Sequence, residues 1–155
     1  MDRHYVISLM GQSRRCCRIG LACYGGVCVI EAGAEKGHLI LIEPDENVRA
    51  ALLTLLSGAG WHVDAVRGCA DIPQTHDDDG IAAVISESSL PGCAANDVLK
   101  VCCERGIPVI FTGHDLTVQA AVDLIQQGAA DYLQKPFPQR RLLNLLNHLQ
   151  HGHNE

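Results

Sequence analysis

From residue 38 onward, short apolar runs alternate with segments whose apolar residues recur at helical spacing. This alternation constrains the fold more than any other feature. The run 38–43 is continuously apolar between His38 and Glu43, as in a strand covered on both faces. Val48, Leu52, Leu55 and Leu56 then repeat on one helical face, with Asp45 as a candidate N-cap and Gly58 and Gly60 at the end. Residues 61–66 read as a strand, 69–76 as a short helix weakened by Pro73, and 80–86 as a third, buried strand. A helix capped by Asn96 is expected to run to Arg105, followed by a strand over 107–111. Val118, Ala121, Val122 and Ile125 give a further helix stopped at Gly128. A strand over 130–133 and a helix opened by Pro138, with Leu142, Leu145, Leu146 and Leu149 on one face, complete the series. Five strands alternating with five helices predict an α/β fold, a doubly wound parallel sheet with helices on both faces.

Composition agrees with one folded domain and excludes several function classes. Twelve Lys+Arg against 18 Asp+Glu give a net charge of −6, which argues against a basic groove for nucleic acid. No apolar run reaches the ~18 residues needed to span a bilayer, so no membrane role is expected. Hydrophobic residues make up 47 % but aromatics only 4 %, so the core must rest on Leu, Ile, Val and Ala. Eight cysteines are many for 155 residues. Disulfide frameworks are usually short and poor in periodicity, so most of these cysteines read as reduced, buried, small hydrophobes.

Three regions follow: a Cys/Gly-rich, poorly ordered N-terminal extension (1–37), the alternating domain (38–150), and a tail (151–155). The extension has basic residues around Cys16 and Cys17, then an apolar stretch, an order also found in signal peptides. Two glycines interrupt the apolar part, and the extension reading is preferred. Cys23 and Cys28 have zinc-like spacing, but Cys16 and Cys17 are adjacent. Two short Cys pairs, the usual structural zinc pattern, are therefore not present. His148, His151 and His153 read as a fraying helix end, and the run 77–79 of aspartates as a solvated loop.

In an open α/β sheet the active groups gather at the carboxyl ends of the strands. Those ends carry Glu43-Pro44-Asp45, then Glu87-Ser88-Ser89-Leu90-Pro91-Gly92, then Thr112-Gly113-His114, then Tyr132-Leu133-Gln134-Lys135-Pro136-Phe137. Carboxylates there can hold Mg²⁺, and a lysine and a hydroxyl can hold a phosphoryl group. No nucleophile–base pair or phosphate-binding glycine loop is found, so an enzyme acting on its own substrate is not expected.

The Leu90-Pro91-Gly92 turn, the segment from Pro108 to His114 and the segment from Gln127 to Phe137 together make the chain resemble the receiver domain of two-component response regulators. The similarity is greatest to the receivers of nitrogen-fixation and nitrogen-assimilation regulators. It covers about three quarters of the chain. It implies a flavodoxin-like five-stranded sheet in the order 2-1-3-4-5 and phosphoryl transfer from a histidine kinase to an Asp, assisted by Mg²⁺ and an acidic pair. A Ser/Thr and an aromatic then rearrange. Carried over by position, the acceptor falls on Glu87, the acidic pair on Glu43 and Pro44, the lysine on Lys135 and the switch aromatic on Tyr132. The bond from Lys135 to Pro136 is expected to be cis. For the switch hydroxyl, a gapless count back from Lys135 reaches Gly113, whereas the local Thr-Gly-His match gives Thr112, the preferred assignment.

Two departures stand out. Glu replaces the acceptor Asp at 87, and Pro44 replaces a metal-ligating acid, leaving Glu43 and Glu87 as a weakened Mg²⁺ pair. Asp45 could compensate only if it did not cap the following helix. The expectation is a stand-alone, degenerate, cytoplasmic receiver with no required cofactor, acting by protein–protein contact through its fourth helix, fifth strand and fifth helix. It would need no phosphorylation and make no direct contact with nucleic acid. The alternatives are a working Mg²⁺-dependent receiver served by a histidine kinase, and a cysteine-based metal or redox module on a receiver scaffold.

Overall fold

A computed structural model of the chain describes residues 21–24, 27–30, 36–71 and 80–152. Cys16, Cys17, the aspartates at 77–79 and His153 lie outside the described residues. The chain divides into two compact units, Met1–Glu35 and Lys36–Glu155.

In the first unit, strands β1 (Leu21–Tyr24) and β2 (Val27–Ile30) pair antiparallel, with Leu21 opposite Ile30 and Cys23 opposite Cys28. The sequence offers no period there, because two four-residue strands are too short to establish one.

The second unit is built on five parallel strands: β3 (His38–Ile42), β4 (His62–Val66), β5 (Ile81–Glu87), β8 (Val109–Gly113) and β9 (Asp131–Gln134). Their spatial order is β4-β3-β5-β8-β9, which is the expected 2-1-3-4-5. Side chains alternate between the two faces. Leu39 and Leu41 pack with Leu52, Leu56, Leu142 and Leu146, while Ile40 and Ile42 pack with Val98, Leu99 and Phe111 on the other face. Both faces are thus covered, and this is why β3 and β5 read as unbroken apolar runs.

Four α-helices are present among the described residues: α1 (Glu46–Gly58), α2 (Ala95–Glu104), α3 (Val118–Gln126) and α4 (Gln139–Gly152). Asp45 caps α1 by accepting the Val48 N–H at 3.0 Å, and Thr117 caps α3 through the Ala120 N–H. Asn96 does not cap α2. Its N-cap is Ala94, with no side-chain hydrogen bond, and Asn96 lies inside the first turn. Of the helix expected over 69–76, Cys69–Asp71 form a 3₁₀ turn, and 72–76 lie outside the described residues. Gly128 takes φ +115°, a left-handed conformation that favours glycine after α3, and a Cβ there would come within 3.1 Å of the Cys103 sulfur.

Between β5 and α2, the short strands β6 (Ser89–Leu90) and β7 (Cys93–Ala94) flank Pro91 and Gly92, the latter at φ +71°. Cys93 forms a disulfide with Cys69. These two are exceptions to the reading of most cysteines as reduced hydrophobes, and the partners lie 24 residues apart with no periodic signal linking them. Cys102 does fit that reading: it is buried, and burial, with the neighbouring Cys103, pushes its thiol pKa up to about 11. Cys103 is an exposed free thiol. No helix among the described residues is long and apolar enough to cross a membrane.

Candidate functional site

The strand order reverses between β3 and β5, so Glu43 and Glu87 flank the crevice where such sheets bind their ligands. Backbone pairing holds the surrounding ends in place. The Glu43 N–H donates to Val66 O, Ser88 N–H to Thr112 O, and Lys135 N–H to Gly113 O. Glu43, Pro44, Glu87, Ser88, His114 and Lys135 line a cleft of about 480 Å³.

Lys135 spans this crevice. Its ammonium donates to Glu87 Oε2 at 2.5 Å and to Glu43 Oε2 at 2.6 Å. Glu43 is 2 % exposed and Glu87 7 %, and the Lys135 side chain is 9 % exposed. The second oxygen of each carboxylate is also engaged. Glu43 Oε1 accepts the Asp45 N–H at 3.0 Å, and Glu87 Oε1 accepts from Ser89 N–H and Ser88 Oγ, both at 3.3 Å. Burial works to lower the Lys135 pKa, but the hydrogen bonds it donates to Glu43 and Glu87, together with their charges, outweigh it and raise the pKa on balance. The triad is a closed arrangement of two carboxylates around one cation, with a formal charge of −1.

Of the predicted site residues, Glu43, Glu87 and Lys135 come together. Asp45 borders the cleft, but its carboxylate is turned to cap α1. Pro44 offers no side-chain oxygen. The Lys135–Pro136 bond is cis.

The two candidate switch positions, Thr112 and Gly113, have different surroundings. Thr112 is buried in register between Glu87 and Leu133. Gly113, one residue on, is the position that faces Glu87 and Tyr132. A Cβ on Gly113 would lie 3.1 Å from Glu87 Oε1 and 3.1 Å from the Tyr132 hydroxyl, and would collide with Ser88 Oγ. The gapless count from Lys135 reaches this position, and the local Thr-Gly-His match reaches the buried Thr112 beside it. Tyr132 donates its hydroxyl to Gly113 O at 3.0 Å. Burial raises its pKa, with the Glu87 and Asp115 charges adding to the effect against the Leu116 backbone hydrogen bond and Lys135.

Sequence reasoning missed two supporting residues. Ser88 bonds the Glu87 carboxylate, and its adjacency to Glu87 was the available signal. Arg49, on α1, donates from one guanidinium nitrogen to the carbonyls of Glu43 (2.9 Å) and Pro44 (3.2 Å), bracing the turn that carries Glu43. No motif marks it.

Comparison with known proteins decides the family. The response regulator receiver domain matches residues 39–147. The chain belongs to this family. The receiver is 31 % identical over 114 residues to the transcriptional regulatory protein FixJ of Bradyrhizobium diazoefficiens, covering 72 % of this chain and 55 % of FixJ. It is 30 % identical over 105 residues to the DNA-binding transcriptional regulator NtrC of Escherichia coli, covering 66 % of this chain and 22 % of NtrC. The similarity to nitrogen regulators thus holds, although the receiver spans only about half of FixJ and less of NtrC. Among solved structures, a receiver domain protein from Clostridium thermocellum superposes with a TM-score of 0.71 at 19 % identity, covering 76 % of this chain and 97 % of that one, which shows the shared fold.

Proposed function

We propose that this receiver works in two-component signalling as a phosphorylation-independent protein-binding module, its acceptor site satisfied internally by Lys135. The observation that carries this reading is the Lys135 ammonium held between Glu43 and Glu87. Phosphoryl transfer would need the carboxylate at 87 free to attack. It would also need a cation site able to neutralise the incoming phosphoryl group. Here both carboxylates already accept from Lys135, Pro44 supplies no ligand, and Asp45 is committed to a helix cap. Mg²⁺ prefers near-octahedral oxygen coordination, and this donor set does not fit it.

The partner surface in this reading is α3, β9 and α4, the fourth helix, fifth strand and fifth helix of the sequence reading. On α3, Val118 is 83 % exposed and Val122 and Ile125 are also exposed, which suits docking of another protein. The inward Tyr132 hydroxyl adjoins this face and is held by a carbonyl, not by a switch hydroxyl. Catalysis on a separate substrate and direct nucleic-acid contact form no part of this reading, and its place of action is the cytoplasm.

The test is a pair of amide NMR spectra of the full chain, with and without acetyl phosphate and Mg²⁺. Superimposable α3 and β9 signals are expected. Saturable shifts in those elements would overturn the reading.

A further inference from the structure

At the opposite edge of the sheet, His38 and His62 are cross-strand partners at the first positions of β3 and β4, and Asp64 lies two residues beyond His62. Residues two apart on a strand share a face, so all three side chains project from one side of the sheet. His38 Nε2 lies 2.8 Å from Asp64 Oδ2, and the two imidazole rings stand edge to face with centroids 4.9 Å apart. One ligand atom from each residue lies within 4.8 Å of the others.

We propose that His38, His62 and Asp64 form a binding site for a divalent transition-metal ion of the zinc type. Two imidazole nitrogens and one carboxylate oxygen are borderline ligands that suit Zn²⁺ and not the hard Mg²⁺. Metal bonds of ~2.0–2.1 Å place tetrahedral ligand atoms roughly 3.3 Å apart, which side-chain rotations within the observed 4.8 Å can reach. His62 is exposed, and His38 and Asp64 are partly so, which leaves a path for the ion and room for a water as fourth ligand. The ion would displace the proton shared by His38 and Asp64.

The site joins the edge strand β4 to β3. It lies five residues along β3 from Glu43, on the order of 16 Å by strand rise. It is separate from the acceptor crevice and does not depend on how that crevice works.

The test titrates Zn²⁺ alone into the full chain, stripped of metal by a chelator, while NMR follows the imidazole nitrogens of His38 and His62. Both rings are expected to shift together and saturably, with Mg²⁺ producing no such shift. His62→Asn removes an exposed ring and should weaken the His38 response by at least the roughly tenfold cost of losing even an outer-shell partner. Asp64→Asn should do the same, whereas His148→Asn and His151→Asn should leave it intact. Rings that stay unmoved while Zn²⁺ binds elsewhere, or a His38 response unchanged in both ligand variants, would overturn the proposal.

Discussion

Lys135 and Glu87 form an ion pair of 2.5 Å at the carboxyl edge of the sheet, where a receiver's acceptor and its lysine meet. Glu43 completes the arrangement at 2.6 Å. A glutamate is one methylene longer than an aspartate.

Lys135→Met should leave two buried carboxylates facing each other without a cation. Breaking a buried pair by removing one partner costs about 3–5 kcal/mol. Like charges held together also favour protonation. Urea unfolding should therefore show a large loss of stability at neutral pH, with part of it recovered in mild acid. A loss of equal size at both pH values would count against the charge argument.

The pH dependence of the intact pair runs the other way. Lys135 has a raised pKa in the folded state, so its contribution is fully present below the ordinary lysine pKa and lost only as pH rises through the raised value. The stability gap between the natural chain and Lys135→Met should hold through neutral pH and close on the strongly alkaline side. Chemical denaturation across that range measures it.

Gly113→Ala should crowd Ser88, Glu87 and Tyr132. Overpacking of this kind costs about 1–3 kcal/mol. Because the tightest clash is with the Ser88 hydroxyl, the cost should fall when Ser88→Ala is added. A double-mutant cycle reads that coupling, and strict additivity would place the strain elsewhere.

Asp45→Ala should remove the α1 cap and lower stability by about 1 kcal/mol. Neither the natural chain nor this variant should show a Mg²⁺-induced rise in Tm. A saturable Mg²⁺ rise in the natural chain that disappears in this variant would make Asp45 a ligand instead.

Much of this was legible beforehand because burial on both faces writes itself into sequence. Unbroken apolar runs located β3, β5 and β8, and the Lys-Pro-Phe context located Lys135. What escaped detection depended on contacts distant in sequence or on offsets of one residue. Thr112 was favoured by a local three-residue match, yet the register sets Thr112 beside Leu133 and Phe111 beside Tyr132, and it is Gly113, at the end of β8, that the Tyr132 hydroxyl reaches. Cys69 and Cys93 meet only because β5 carries the chain back beside the Cys69 turn. Asn96 has the chemistry of a cap, but α2 starts one residue before it, at Ala95. The His38, His62 and Asp64 cluster spans two strands, and spacing along either strand alone gives no hint of it.

The central claim is that the site is closed by its own lysine. Incubation of the full chain with acetyl phosphate and Mg²⁺, followed by intact mass measurement, tests it most directly. The variant carrying both Pro44→Asp and Glu87→Asp serves beside it. The account predicts no added phosphoryl group on the natural chain and a labile adduct on the double variant. A labile phosphoryl adduct on the natural chain would contradict it.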